Sequence, residues 1–367
     1  MSEQKLIQSQ EEEKVLESIS TSKVVVPVLL GIGVILLLVW QQFDLEEFMK
    51  IEWGDRVLLY TLLAILVYII RHVILSLRLM VLSDNFFSFS KSFELIIIWE
   101  FASAVSPTSI GGSAVSLFLL AQEKLSGAKT VTLVIYSVIA DTIFFLISLP
   151  IIYFVLGPIA VRPEARTAYD LSGYGWTLLL IYLFFVIYSV VFTFGIFHPR
   201  MIKRIILFFG KLPIINRFQA SIEKTADDVI ITSAELRHQP IMYHVQVFLW
   251  TFLAWILRFF AITLIIMALV NTIDFSWNQQ AILFSRSEIM HSITQFSPTP
   301  GGSGITELLF GGFYSDFINK GISSIVALLW RLVTYYPYLI AGAIIIPNWI
   351  RKIIKRRNEE RELSSSL

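Results

Sequence analysis

The chain contains no cysteine, which excludes disulfides, thiol catalysis and cysteine-bound metal. It also lacks a charge excess: 29 Lys and Arg stand against 28 Asp and Glu, and a net charge of +1 leaves no footprint for nucleic acid. Its five histidines show no zinc-ligand spacing with carboxylates, so neither a metal nor a cofactor is expected. The string "GSGITE" (Gly302–Glu307) is no nucleotide phosphate loop, because no lysine follows at the required place. Also missing are the segments of about ten residues, alternating apolar and polar, that mark a membrane β-barrel.

Apolar residues fill the space that these absences leave. They make up 56% of the chain, against 16% charged, and runs such as "VVVPVLLGIGVILLLVW" (Val24–Trp40) are too long for soluble core helices. The expected class is an all-α polytopic membrane protein. Six full spans are predicted: Val24–Gln41, Val57–Leu82, Lys129–Leu156, Tyr174–Phe197, Ile241–Val270 and Ile322–Ile350. They form one membrane domain over residues 24–350, between a polar segment at 1–23 and a basic tail at 351–367. No small-residue cleavage site follows the first run, which is read as a retained helix rather than a signal peptide.

Basic residues gather in Met201–Arg237 and in the tail "RKIIKRRNEER", whereas "DLEEFMKIEWGD" is mostly acidic. The positive-inside rule then places both termini and the central loop in the cytoplasm, and Trp40, Trp53, Trp176, Trp277 and Trp349 near span ends read as interfacial anchors. Residues 199–240 alternate basic with apolar side chains, as expected of an amphipathic segment on the inner membrane surface.

Two further apolar stretches, Phe93–Gln122 and Ala281–Tyr314, are each broken in the middle by nearly the same string: "SPTSIGGSA" from Ser106 and "SPTPGGSG" from Ser297. Proline removes a backbone donor, glycine permits positive φ, and Ser113 or Ser303 can cap a restarting helix. Charge bookkeeping around the loops makes the first stretch re-entrant from the cytoplasm and the second from outside. Asp141 lies as far beyond Gly112 as Arg331 lies beyond Gly302, and each string follows a span with a central arginine, Arg71 or Arg258. The halves, about 57–156 and about 241–350, thus read as an inverted-topology repeat with two broken-helix hairpins, a plan of secondary transporters.

Half-helix N-termini favour phosphate or carboxylate. The predicted substrate site therefore comprises Ser106, Pro107, Thr108, Gly111, Gly112 and Ser113 from the first string. Ser297, Pro298, Thr299, Pro300, Gly301, Gly302, Ser303 and Gly304 come from the second. Arg258 and Arg331 fall near the centres of long apolar runs, where a cavity-facing role is expected, with pairing to Asp141 or Glu307 as the structural alternative. An Asp141–Arg331 ion pair is the specific expectation. Arg78 is expected to snorkel, Glu94 to sit near an interface and His72 to be a packing residue. Glu307, matched by Leu117 in the first half, either caps its helix or takes part in gating.

At "SPTPGGSGITE" the sequence resembles the lysylphosphatidylglycerol synthase transmembrane-region family, also called flippase-like domain proteins. The likeness rests on Pro298, Pro300, Gly301, Gly302, Gly304 and Glu307 and on the following "LLWRLVTYYPYLIAG", and spans roughly residues 24–350. In the first string, Ser113 stands where the family more often has a charged or amide residue. In bacterial multiple peptide resistance factors this domain accompanies a cytosolic aminoacyl-transferase and moves the aminoacylated lipid to the outer leaflet. Residues 351–367 leave no room for a transferase, so no enzyme activity is expected. The resemblance implies a flippase for an anionic or zwitterionic lipid in the cytoplasmic membrane. The alternatives are an ion-coupled transporter of a small anion and a non-transporting partner of a separate lipid-modifying enzyme. Expected partners are membrane lipids, such an enzyme, and a second copy of the chain, but not nucleic acid.

Overall fold

Inside a bilayer no water is available to satisfy backbone N–H and C=O groups, so apolar runs of this length must close their hydrogen bonds within themselves as helices. The computed structural model describes residues 40, 45–106, 116–125, 127–161, 163, 198–210, 227, 230, 233–297, 299–302 and 304–365, with parts of 176–190. The predicted span Val24–Gln41 and most of Tyr174–Phe197 lie outside the described residues. So do Pro107, Thr108, Gly111, Gly112, Ser113, Pro298 and Ser303.

In chain order the helices are α1 (Leu45–Met49), α2 (Asp55–Leu82), α3 (Phe89–Val105), α4 (Gly127–Leu156), α5 (Pro199–Gly210), α6 (Ile241–Leu269), α7 (Trp277–Thr294), α8 (Ile305–Phe313), α9 (Lys320–Thr334) and α10 (Tyr336–Ser365). Short 3₁₀ turns occupy Gly157–Ala160 and Pro300–Gly302. Among the described residues four stretches are long and apolar enough to cross a membrane: Asp55–Leu82, Lys129–Ala160, Ile241–Leu269 and Lys320–Arg356. These match four of the predicted spans. The last is two helices rather than one, because Pro337 cannot donate and its ring displaces the carbonyl four residues earlier, which breaks the chain at Tyr335. Large apolar side chains such as Leu62 and Leu66 on α2, Ile151 and Phe154 on α4, and Ile340 and Ile344 on α10 are exposed, as surfaces facing lipid require.

The central pair is α2 and α6, packed antiparallel along their length. Helix α6 ends with free carbonyls, and Arg56 at the start of α2 caps them, donating to Met267 O at 3.0 Å, Val270 O at 3.2 Å, Asn271 O at 3.3 Å and Ile273 O at 3.0 Å. At the opposite end Tyr243 Oη donates to Leu82 O at 3.5 Å. Between these anchors the register carries Arg71 and Arg258 to the same depth.

Each broken stretch forms an antiparallel hairpin. Helix α3 stops at Val105 because Ser106 precedes a proline and adopts an extended conformation (φ −79°, ψ 141°). The chain returns through a helical segment at 116–121, and Lys91 meets Glu123 at 2.6 Å across the hairpin mouth. In the second hairpin Arg286 of α7 donates to Phe313 O at 3.1 Å and pairs with Asp316, closing the corresponding mouth. Trp349, expected at an interface, is instead 1% exposed, and its Nε1 donates to Glu123 at 2.5 Å. Tertiary packing of α10 on the first hairpin overrides its position near a span end. Trp40, Trp53, Trp176 and Trp277 are exposed.

Candidate functional site

The tips of the two hairpins meet at the kink between α9 and α10. Tyr335 donates from its hydroxyl to Ala104 O at 3.0 Å, and its ring lies against Gly301. Gly301, Gly302 and Gly304 have φ of +57°, +69° and +86°, so the left-handed backbone that the second string suggested is present. A Cβ on Gly301 would stand 2.4 Å from the Tyr335 ring, and one on Gly302 would stand 2.6 Å from Thr306 Oγ1.

Beside these tips, midway along α2 and α6, lies a cavity of about 380 Å³. Four arginines line it: Arg71, Arg78, Arg258 and Arg331. Three of them have carboxylate partners. Arg71 binds Glu100 at 2.8 Å, and its Nη1 reaches Tyr338 Oη at 3.4 Å. Arg78 binds Asp141 at 2.6 Å and Thr251 Oγ1 at 3.2 Å, and Trp255 Nε1 donates to the same Asp141 at 3.0 Å. Arg331 Nε binds Glu307 at 2.8 Å, and its Nη1 donates to Gly301 O at 3.0 Å.

Arg258 differs. Its guanidinium lies 5.5 Å from the Trp255 ring centroid, and no carboxylate pairs with it among the described residues. Glu100 is within electrostatic reach of both Arg71 and Arg258 but hydrogen-bonds only the former. The sequence register parallels the asymmetry: Glu100 precedes Ser106 by as many residues as His291 precedes Ser297. Laid over each other by their Ser-Pro-Thr strings, the two stretches put a histidine where the first has a carboxylate. His291 also lines the cavity.

The expected Asp141–Arg331 pair does not form. Asp141 instead binds Arg78, and Arg331 binds Glu307. Arg78 does not snorkel: its side chain is buried in that pair. Glu94 pairs with Lys91 at 3.2 Å, partly exposed, as expected near an interface. His72 packs edge-on against Phe93, its ring centroid 4.1 Å away, and hydrogen-bonds Tyr338, in keeping with a packing residue.

The glycine string is also less open to an anion than its composition suggested. Gly302 N–H donates to Thr299 O at 3.0 Å, Thr299 N–H to Ser297 Oγ at 3.3 Å, and Gly304 N–H to Glu307 Oε2 at 2.7 Å. Glu307 thus caps α8 with one oxygen and binds Arg331 with the other, filling the position where a helix N-terminus would attract a phosphate. Ser106, Ser297, Thr299, Gly301 and Gly302 line the cavity. Arg258, however, is the cavity arginine that has no carboxylate ion-pair partner among the described residues. Sequence reasoning missed the cavity roles of Arg78, Glu100, Trp255 and His291, although the repeat register contained the Glu100–His291 match.

These features define a polytopic helical membrane protein with a cavity lined by charged side chains between its long apolar helices. The model of the family described as "Lysylphosphatidylglycerol synthase TM region" matches residues 24–342, and the chain belongs to that family. It is similar to a UPF0104 membrane protein of Archaeoglobus fulgidus, 23% identical over 274 residues, which covers 73% of this chain and 80% of the relative. No solved structure matches.

Proposed function

We propose that this protein is a polar-lipid translocase, moving an anionic or zwitterionic phospholipid between the leaflets of the cytoplasmic membrane without covalent chemistry. Arg258 carries the reading. A guanidinium at this depth is costly unless an anion joins it, and a phosphodiester brings one negative charge and oxygens that fit the guanidinium fork. A cavity of about 380 Å³ suits a headgroup, with the acyl chains left in the bilayer. Family membership supports the reading.

The architecture proposed for this work is an inverted-topology repeat of six crossings, with hairpins re-entrant from opposite sides and both termini cytoplasmic. The antiparallel α2–α6 pair and the meeting hairpin tips support it.

The test is reconstitution into liposomes with fluorescent phosphatidylglycerol, scored by accessibility to an impermeant quencher. Arg258→Gln should slow movement about ten- to a hundredfold, the value of about 1.5–3 kcal/mol of charge-assisted hydrogen bonding. Arg258→Lys, which keeps the charge and loses the fork, should fall between. Unchanged rates in Arg258→Gln would remove the reading. Movement of inorganic phosphate without lipid would replace it with a soluble-anion transporter.

A further inference from the structure

Each carboxylate lining or flanking the cavity has an arginine, whereas Glu288 has none. It lies mid-way along α7 with 0% exposure. Ser148 of α4 donates to one carboxylate oxygen, and the other has no hydrogen-bond partner among the described residues. An ionised carboxylate so placed bears its burial cost uncompensated, and a bound proton removes most of that cost.

Among the described residues, the surrounding elements supply no counter-charge to Glu288. On α7 itself Arg286 turns away to Phe313 O, Ile159 O and Asp316. Helix α4 carries Asp141, held by Arg78, and α8 carries Glu307, held by Arg331. Beyond α8, the Tyr314 hydroxyl bonds Ser287 Oγ at 2.6 Å. Helix α6 presents Arg258 to the cavity, and the Gly157–Ala160 turn carries no titratable side chain. None of these forms an ion pair or hydrogen bond with Glu288.

Neighbours of Glu288 on α7 border the cavity. Ser287 and His291 both line it, and His291 stands one helical turn beyond Glu288 on the same face. Its ring packs among Phe145, Trp255 and Phe259 at centroid distances of 6.0, 5.0 and 5.8 Å, and neither ring nitrogen has a hydrogen bond among the described residues.

We propose that Glu288 is a proton-binding site through which lipid movement is coupled to a proton gradient. The coupling rests on the translocase reading; the proton site rests on Glu288 alone. The step is loss of the Glu288 carboxyl proton to the aqueous phase on one side, leaving the carboxylate, and uptake of a proton from the other side that restores the acid; no other bond changes.

Two measurements test it. In infrared spectra the protein should show a protonated-carboxyl C=O band that Glu288→Gln removes and Ser148→Ala shifts. Glutamine matches the neutral acid in shape, and Ser148→Ala leaves the acid in place. In liposomes with the membrane potential clamped, a one-unit pH gradient should skew the leaflet distribution of fluorescent phosphatidylglycerol by up to about tenfold per coupled proton. Glu288→Gln should abolish that skew. A band that persists in Glu288→Gln, a band unshifted in Ser148→Ala, or lipid movement indifferent to the gradient overturns the proposal. Absence of lipid movement under every condition overturns the translocase reading and the coupling with it, and the band then shows whether the proton site stands.

Discussion

Arg331 sits where two roles converge: it neutralises Glu307 and holds the carbonyl of Gly301 in the loop between α7 and α8. Both members of the pair are almost fully buried, so removing either strands a charge, at a cost of about 3–5 kcal/mol. A double-mutant cycle of Arg331→Gln with Glu307→Gln should give a coupling energy of about 0.5–3 kcal/mol in thermal unfolding in detergent. Arg331→Gln with Asp141→Asn should be additive within about 0.5 kcal/mol. Equal coupling in the two cycles would contradict the pairing. The sequence showed that these charges lie at membrane depth and that Glu307 opens a half-helix. It could not show which carboxylate each arginine meets, because repeat equivalence fixes symmetry-related positions and not neighbours.

Among the elements, the antiparallel α2–α6 pair organises the rest, and Arg56 fastens one end of it. Loss of that cap leaves four carbonyls at the end of α6 to find other donors. Arg56→Ala should therefore speed amide exchange at residues 267–273, read by mass spectrometry, while residues 241–250 at the opposite end keep their protection. Uniform acceleration along α6 would mean that the arginine supports the whole fold and not this terminus. Nothing in the local sequence announces the cap, since an arginine near a span start reads equally well as an interfacial anchor. The hairpin breaks were legible because Ser106 and Ser297 each precede a proline, which disfavours helix at the residue before it. The split at Tyr335 follows from the missing donor and the ring of Pro337, although Pro150 and Pro347 remain inside helices. A proline permits a break, and the packing of Tyr335 between Gly301 and Ala104 selects where one occurs.

For the whole molecule, the absence of cysteine makes topology directly measurable. Single cysteines replacing Lys124, just beyond the first hairpin, and Lys320, just beyond the second, are both exposed positions. An impermeant maleimide should label the first only from the cytoplasmic side and the second only from outside; labelling of both from one side would rule out the inverted repeat. The amino-acid sequence by itself determined the solvent and the class, because runs this long and apolar can satisfy their backbones in lipid only as helices. It also located the two helix breaks, which follow from local properties of proline and glycine. Only the tertiary structure decided which charges are compensated. Ion pairing depends on side chains from different helices arriving within a few ångströms of each other, and among the described residues Arg71 meets a carboxylate, Glu100, whereas Arg258 meets the Trp255 ring.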